Sequence, residues 1–289
     1  MSSKSDTETS GYPRVISSQF GRNNVTQIEE DVVLKQGSSV WPSEEAAIKL
    51  IQAHTADIPV PTVYHAIYNR DATGVISTGM LYMEYIPGKS LESVWPRLSE
   101  DDKKQICQET WGLIERLRQI PRPEKTTNIG NPGEEQVQLL YCAPDGTSHI
   151  VHPLLGDLYD QPPPLLDDEA LRTRIWERYV EYNGLSYPDG HDVKDMLPRS
   201  ETSVFTHGDI HPGNILVKEG EEDSNRGQVW IVGLVDFESA GFFPEYWEFA
   251  EMMRFGGQGD EDEWRLMMER TAPRIWDVKG IQKARRVLF

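Results

Sequence analysis

The spacing of apolar residues divides the chain into a strand-rich first part and a helical second part. Short segments rich in β-branched residues predict strands at residues 25–28 and 31–34. A longer strand is predicted at residues 80–86, where a Pro-Gly pair ends it. Between these strands, Ser43 is the predicted N-cap of a helix that reaches about Ala53. This first part therefore reads as a small sheet with one helix.

Helical spacing dominates after residue 88, but two strands interrupt it. Both strands are short apolar runs, at residues 215–218 and 229–237, and a polar turn separates them. Ser99 and Asp167 are residues that commonly cap helices, and each precedes a stripe of apolar residues at helical spacing. Helices are predicted at residues 99–119, from residue 167 onward, at 245–254 and at 260–270.

The two patterns together predict an α+β fold with two lobes. We expect a frayed tail at residues 1–12, a small β-rich lobe at 13–87 and a larger, mainly helical lobe at 88–289. Clefts between two such lobes are common ligand sites, so chemistry-bearing residues of both lobes are expected to meet there.

Composition excludes several classes of partner. The chain has 289 residues and a formal net charge of −18, which disfavours nucleic acid and anionic membranes as partners. The excess of acid is concentrated in residues 91–273, which hold 36 acidic and 17 basic residues. Two cysteines and no apolar leader are typical of a cytoplasmic protein. No protein partner is predicted.

Two segments contain the candidate catalytic and metal-binding residues. The first reads His207-Gly-Asp-Ile-His-Pro-Gly-Asn214, and the second, Gly233-Leu-Val-Asp-Phe-Glu238, ends a buried strand. Asp209, Asn214 and Asp236 are the parts that magnesium-assisted phosphoryl transfer needs: a carboxylate to orient the attacking hydroxyl, and two oxygen ligands for the metal ion. Taken singly, each residue would more often serve a turn or a cap.

The joint pattern resembles the aminoglycoside phosphotransferase family, which includes choline-kinase-like enzymes and has a protein-kinase-like fold. The likeness rests on H-G-D-x-H-x-x-N followed by a strand that ends in D-F-E. It spans roughly residues 20–255 and is most similar to fungal members. Its further segments are residues 58–61, 83–88 and 241–248.

The resemblance implies roles for residues of the second part. Asp209 corresponds to the catalytic base, and Asn214 and Asp236 correspond to the ligands of Mg²⁺, with ATP as the co-substrate. His207 is expected to hold the catalytic loop by hydrogen bonding. His211 lines the phosphate path or simply packs.

The resemblance also implies a nucleotide site in the first part. Lys35 is expected to contact the α- and β-phosphates, with Glu44 as its helix partner and Glu45 as the alternative. Backbone groups of Glu84 and Ile86 are the expected adenine contacts.

One departure from kinases concerns the loop before the lysine. No G-x-G-x-x-G pattern precedes Lys35, so phosphate cover is expected from Gly21 and from the amides of Asn23 and Asn24. Many enzymes of the family that the chain resembles lack that pattern, so its absence does not exclude activity.

These roles predict an ATP-dependent small-molecule kinase that phosphorylates a hydroxyl group. The alternative is a nucleotide-binding pseudokinase or scaffold without turnover. The acidity of the second part favours a cationic metabolite or antibiotic-like acceptor, held by carboxylates and aromatic rings. The candidate side chains are those of Asp157, Asp160, Tyr179, Glu177, Glu181, Glu245, Trp247 and Glu248; for Trp247 a core position is the other interpretation.

Overall fold

The first part of the chain forms one antiparallel sheet with a helix packed on it. The computed structural model describes residues 11–18, 23–123, 127–128, 136–137, 139–150, 152–156, 158, 163–184, 192–220, 229–254 and 260–286. The strand order is β1-β2-β3-β5-β4. The elements are β1 (Arg14–Ser18), β2 (Asn23–Gln27), β3 (Val32–Gly37), α1 (Pro42–His54), β4 (Val63–Arg70) and β5 (Ile76–Glu84).

The alternation of β3 places a lysine on the buried face of this sheet. Val33 and Lys35 are two residues apart and both are buried, because successive side chains of a strand point to opposite faces. On α1 the buried stripe starts with Glu44 and continues through Ala47, Ile48 and Ile51 at helical spacing. Lys35 and Glu44 therefore face each other where α1 packs against the sheet.

The second part is mainly helical, with short sheets inserted. Its helices are α2 (Leu91–Val94), α3 (Glu100–Leu117), α4 (Asp168–Asn183), α5 (Val193–Met196), α6 (Trp247–Met252), α7 (Asp260–Thr271) and α8 (Lys279–Ala284). Its strands are β6 (Lys89–Ser90), β7 (Thr127–Asn128), β8 (Gln136–Val137), β9 (Val204–Thr206), β10 (Ile215–Glu219), β11 (Val229–Leu234) and β12 (Gly241–Phe243). Strand β10 pairs with both β11 and β6, and β9 pairs with β12.

Aromatic residues build the core between α3, α6 and α7. Trp111 of α3 stacks on Phe249 of α6, with ring centroids 6.4 Å apart, and its indole N–H donates to the carbonyl of Met268 in α7 at 3.0 Å. Trp247 stacks on Phe243 at 4.9 Å and is fully buried. Large buried side chains of this kind contribute about 1.5–3 kcal/mol each, so they fix α6 in place.

The predicted α+β fold is confirmed, and the capping predictions have mixed outcomes. Ser99 accepts from the backbone N–H of Asp102, and Asp167 from that of Ala170, so both caps are confirmed. Ser43 as a cap is wrong: α1 begins at Pro42, directly after Trp41. Proline suits the first helical position, where no N–H is needed, and this moves the start of the helix upstream.

Strand predictions were incomplete in the first part of the chain. The strands β1 and β4 were not predicted, because most of their residues are exposed and little apolar alternation marks them. The division of the chain into lobes at residue 87 stays a prediction.

None of the helices in the described ranges has the length and apolarity to cross a membrane.

Candidate active site

The loop after β9 makes a turn that requires glycine. Gly208 has a φ of 82°, which L-residues with side chains rarely adopt. A Cβ atom at this position would lie 2.4 Å from the carbonyl oxygen of Ser239. The loop that carries Asp209 is therefore pressed against the segment that follows Asp236.

His207 ties the two segments together. Its Nδ1 accepts from the backbone N–H of Asp209 at 3.2 Å, and its Nε2 lies 3.1 Å from the carbonyl oxygen of Val235. Since Nδ1 accepts, Nε2 carries the proton and donates. Burial lowers the pKa of His207, although Asp209 acts in the opposite direction. The ring is thus a neutral link between the loop and the end of β11.

Glu248 supports the same loop from α6. Its carboxylate accepts from the backbone N–H of His207 at 2.7 Å and from that of Gly208 at 3.1 Å. Burial raises the pKa of Glu248 to about 7, although these hydrogen bonds act to lower it. The expectation that Glu248 contacts an acceptor is wrong, because the side chain is buried and both its oxygens hold the loop.

Two aromatic acceptor candidates are also core residues. Trp247 and Tyr179 are fully buried, so neither can form the wall of an acceptor site. Glu245 pairs with Arg274 at 3.0 Å on the surface. Asp157 and Asp160 lie outside the described residues. Glu177 and Glu181 lie on α4.

Asn214 and Asp209 are locked together within the loop. The amide nitrogen of Asn214 donates to the carbonyl oxygen of Asp209 at 3.0 Å and lies 3.5 Å from its Oδ2. A short turn at Pro212–Asn214 brings them together, with His211 Nδ1 accepting from the N–H of Gly213. Because Nδ2 is directed at Asp209, the side-chain oxygen of Asn214 remains as an acceptor.

Asp236 stands in a strained backbone conformation at the end of β11. Its φ of 68° lies in the left-handed region that favours glycine. Such strain is concentrated at functional sites. Burial acts to raise the pKa of Asp236, but the charge and the hydrogen bond of Lys35 outweigh it and lower the pKa.

Lys35 lies among three carboxylates. Its Nζ is 2.8 Å from Glu44 Oε2, 2.7 Å from Asp236 Oδ1 and 3.2 Å from Glu238 Oε2. Burial opposes the charge on Lys35, yet the three carboxylates together raise its pKa. Burial likewise raises the pKa of Glu44 to about 7, with Lys35 acting in the opposite direction.

The alternative partner, Glu45, points elsewhere. Its carboxylate contacts Lys49 at 2.5 Å and the hydroxyl of Tyr68 at 3.0 Å. The contact with Lys35 therefore belongs to Glu44.

Glu238, which was not predicted as a site residue, and Asn23, which was predicted only as a phosphate contact, also belong to the cluster. Asn23 donates to Glu238 Oε2 at 3.2 Å and accepts from the N–H of Ser39 at 3.3 Å. Burial raises the pKa of Glu238, and the neighbouring Asp236 adds to the shift. The D-F-E motif was the available signal for Glu238, since it is the third residue of that motif.

The three carboxylates of the cluster surround the ammonium group of Lys35. Carboxylate oxygens of Glu44, Asp236 and Glu238 lie within 4.8 Å of one another, and Lys35 contacts all three. The carboxylate of Asp236 and the side-chain oxygen of Asn214 are oxygen ligands of the kind that Mg²⁺ prefers, so these two residues fit that ion. Asp236 belongs both to this cluster and to the predicted pair with Asn214.

The predicted adenine contacts lie at the C-terminal end of β5 and just after it. The backbone N–H of Glu84 donates to the carbonyl of Thr62 at 2.8 Å. Within the described part of the chain, the N–H of Ile86 has no hydrogen-bond partner and is available to a ligand. Gly21, the predicted phosphate contact, lies outside the described residues.

Arg254, which no sequence motif had marked, faces Asp209. Its Nη2 donates to Asp209 Oδ1 at 2.5 Å, and its side chain is 47% exposed. Arg254 and His211 line a cavity beside Asp209, together with Ile210, Glu251, Met252, Trp264 and Arg265.

The fold and the residues gathered at this site define a protein-kinase-like phosphotransferase. The chain belongs to the phosphotransferase enzyme family, whose family model matches residues 21–278. No curated protein sequence matches the chain.

Solved aminoglycoside phosphotransferases share the fold. The ternary complex of streptomycin, ATP and APH(2″)-IIa is 13% identical, with a TM-score of 0.55, and the match covers 94% of this chain and 80% of that one. APH(4)-Ia with AMP-PNP and hygromycin B is 13% identical, with a TM-score of 0.53 and coverages of 92% and 78%. The GDP complex of aminoglycoside 2′-phosphotransferase-IIIa is 17% identical, with a TM-score of 0.51 and coverages of 96% and 82%.

Proposed function

We propose that this protein transfers the γ-phosphoryl group of ATP to a hydroxyl group of a small molecule. The observation that carries the proposal is the convergence of two groups of residues. Lys35, Glu44 and Asp236 form a buried ion-paired cluster, and His207 connects the end of β11 to the loop that carries Asp209. The structural relatives named above were solved with ATP, AMP-PNP or GDP, which supports a nucleoside triphosphate as the donor.

The proposed nucleotide site uses the first part of the chain. Lys35 contacts the α- and β-phosphates once a nucleotide is present, and Glu44 holds the lysine in position. The free N–H of Ile86 and the carbonyl of Glu84 contact the adenine ring. Asn214 and Asp236 would hold Mg²⁺, which would neutralise charge on the phosphates.

The proposed chemical step centres on Asp209. Its carboxylate accepts a hydrogen bond from the acceptor hydroxyl, orients the oxygen toward the γ-phosphorus and takes the proton as the new O–P bond forms. The bond from the γ-phosphorus to the bridging oxygen breaks, and ADP leaves. Asn214, His207 and Glu248 hold the loop still, so positioning and fixed charge supply most of the rate enhancement.

The second candidate function is a nucleotide-binding protein without turnover. It is favoured by the absence of a G-x-G-x-x-G pattern before Lys35. Against it stands the joint presence of Asp209, Asn214 and Asp236, because a pure binding protein needs no oriented base.

The test measures ADP release with Mg²⁺-ATP and a panel of alcohols, comparing the wild type with Asp209→Asn. We expect turnover to fall about 10²- to 10⁴-fold, since a general base contributes that much. The affinity for ATP should change little. Asp57→Asn is the matched control, because Asp57 is exposed in the first part of the chain. ATP binding with no turnover on any acceptor would favour the second candidate.

A further inference from the structure

Arg254 is the cation that meets Asp209 on the open side of the loop. The carboxylate of Asp209 has two different faces. Oδ2 lies 3.5 Å from the amide nitrogen of Asn214, while Oδ1 accepts from Arg254. Asn214 is a proposed metal ligand, so the oxygen of Asp209 near Asn214 faces the proposed metal site. The other oxygen, which contacts Arg254, faces the side from which an acceptor has to approach.

The guanidinium of Arg254 has unused binding capacity. Arginine carries five N–H donors in a planar fork that matches carboxylate and phosphate oxygens. Across the ranges that the structure describes, Arg254 donates through Nη2 to Asp209 alone. Its side chain is 47% exposed, so its other donors are accessible to a ligand in the cavity.

The other charges of this cavity are already matched. Glu251 is buried and pairs with His152 at 3.2 Å and with Arg285. Arg265 pairs with Asp262 at 3.2 Å on the surface of α7. Arg254 is itself paired with Asp209, but, among the residues that the structure describes, through Nη2 alone, so an entering molecule meets the remaining exposed donors of its guanidinium.

We propose that Arg254 is a specificity-determining residue that binds an anionic group of the acceptor, a carboxylate or a phosphate close to the reactive hydroxyl. The inference rests on the proposed function, because it assigns the acceptor class of the same site. It replaces the cationic acceptor expected from the acidity of residues 91–273. Salt screens charges that lie further from the acceptor than the Debye length, which is about 8 Å at physiological salt. The charge in direct contact with the acceptor therefore determines which acceptor is preferred.

The pairing with Asp209 is compatible with this role. A carboxylate offers about four lone-pair sites, so Asp209 can accept from an acceptor hydroxyl while Arg254 still donates to it. An anionic group beside that hydroxyl would then contact the remaining donors of Arg254. A cationic group in the same place would instead meet a like charge.

The experiment compares acceptors that differ only in charge. Gluconate, glucose and glucosamine form one series, and glycerate, glycerol and 3-amino-1,2-propanediol form a smaller one. ADP release with Mg²⁺-ATP is measured for the wild type, Arg254→Gln and Arg254→Lys. We expect the anionic member to have the highest kcat/KM and Arg254→Gln to lower it about 10- to 100-fold, as loss of a charge-assisted hydrogen bond does.

The neutral acceptor separates specificity from support of the loop. Arg254→Gln should lower kcat/KM about tenfold more for the anionic member than for the neutral member, and Arg254→Lys should restore part of the anionic preference. If Arg254 only positioned Asp209, all three members would lose turnover equally, which would overturn the proposal. Arg270→Gln removes an exposed arginine of α7 and should leave all values unchanged.

A binding measurement makes the inference independent of turnover. Calorimetric titration of the protein with Mg²⁺ and AMP-PNP is repeated with gluconate, glucose and glucosamine. Tighter binding of gluconate that Arg254→Gln abolishes would support the anion site even if no compound is phosphorylated, in which case the proposed function alone fails. Equal binding of the three, preference for glucosamine, or no binding would overturn the proposal.

Discussion

The two sides of the site differ in how their charges are compensated. On the proposed nucleotide side, Lys35 is buried and contacts three carboxylates. On the proposed acceptor side, Arg254 is half-exposed and contacts one carboxylate. Ion pairs weaken as solvent screens them, so the first cluster is held firmly and the second can exchange partners. The proposed nucleotide side is therefore preorganised, whereas the proposed acceptor side stays adaptable.

The largest expected effect comes from removing the cation of the buried cluster. Lys35→Ala leaves the carboxylates of Glu44, Asp236 and Glu238 without their counter-charge. Breaking a buried ion pair by removing one partner costs about 3–5 kcal/mol of stability. We expect ADP release to fall at least about 100-fold because the phosphates lose their lysine contact. Both effects are measured on one protein preparation, by denaturant unfolding and by steady-state kinetics.

Lys49→Ala is the matched control for this prediction. Lys49 pairs with Glu45 on the same helix, but its side chain is 59% exposed. Exposed pairs of this spacing contribute about 0.3–0.5 kcal/mol. Turnover of Lys35→Ala at the wild-type rate would mean that another cation contacts the phosphates.

The next effect tests how rigid the catalytic loop is. Gly208→Ala combines a positive φ with a Cβ that would lie 2.4 Å from the carbonyl oxygen of Ser239. Left-handed backbone costs about 1–2 kcal/mol for a residue with a side chain, and overpacking adds about 1–3 kcal/mol. We expect a loss of about 2–5 kcal/mol, together with reduced turnover.

Gly74→Ala separates the two contributions. Gly74 also has a positive φ, 86°, but a Cβ there would meet nothing within 4 Å. This variant should lose only the backbone part, about 1–2 kcal/mol. Equal losses of unfolding free energy for the two variants would show that Ser239 moves away from the added Cβ atom without destabilising the protein.

The sequence predicted the residues whose role is set locally. Asp209 and Asn214 are five residues apart and meet through one tight turn, so their spacing alone brings them together. Lys35 and Glu44 lie on the buried faces of a strand and a helix that follow each other directly, and the resemblance to the family indicated both residues. The family pattern then joined these two local arrangements.

Residues whose role depends on long-range packing were missed. Glu248 supports the loop only because the packing of Trp247 on Phe243 brings α6 against it, about 40 residues further along the chain. The same carboxylate on a differently packed helix would be a surface acid. Arg254 likewise reaches Asp209 from a position two residues beyond the end of α6, and no local pattern marks it.

The smallest expected effect concerns pH and the support of the loop. The pKa of Glu248 is about 7 in the folded protein, against an ordinary value near 4.5, because the carboxyl is buried. The native state therefore binds more protons than the unfolded state between these two values, and stability falls as the pH rises through this range. Glu248→Gln cannot titrate, so its free energy of unfolding should change less with pH.

The difference in unfolding free energy between the wild type and Glu248→Gln should change by about 2–3 kcal/mol between pH 4.5 and pH 7 and level off about one pH unit higher. Urea unfolding at half-unit pH steps measures it. Glu245→Gln is the control for loss of an acidic side chain, since Glu245 lies on the surface three residues away and pairs with Arg274. Parallel profiles for Glu248→Gln would mean that the carboxylate stays ionised in the core. The two backbone N–H groups that it accepts from would then outweigh its burial, and the loop would owe its rigidity to a charge rather than to a protonated carboxyl.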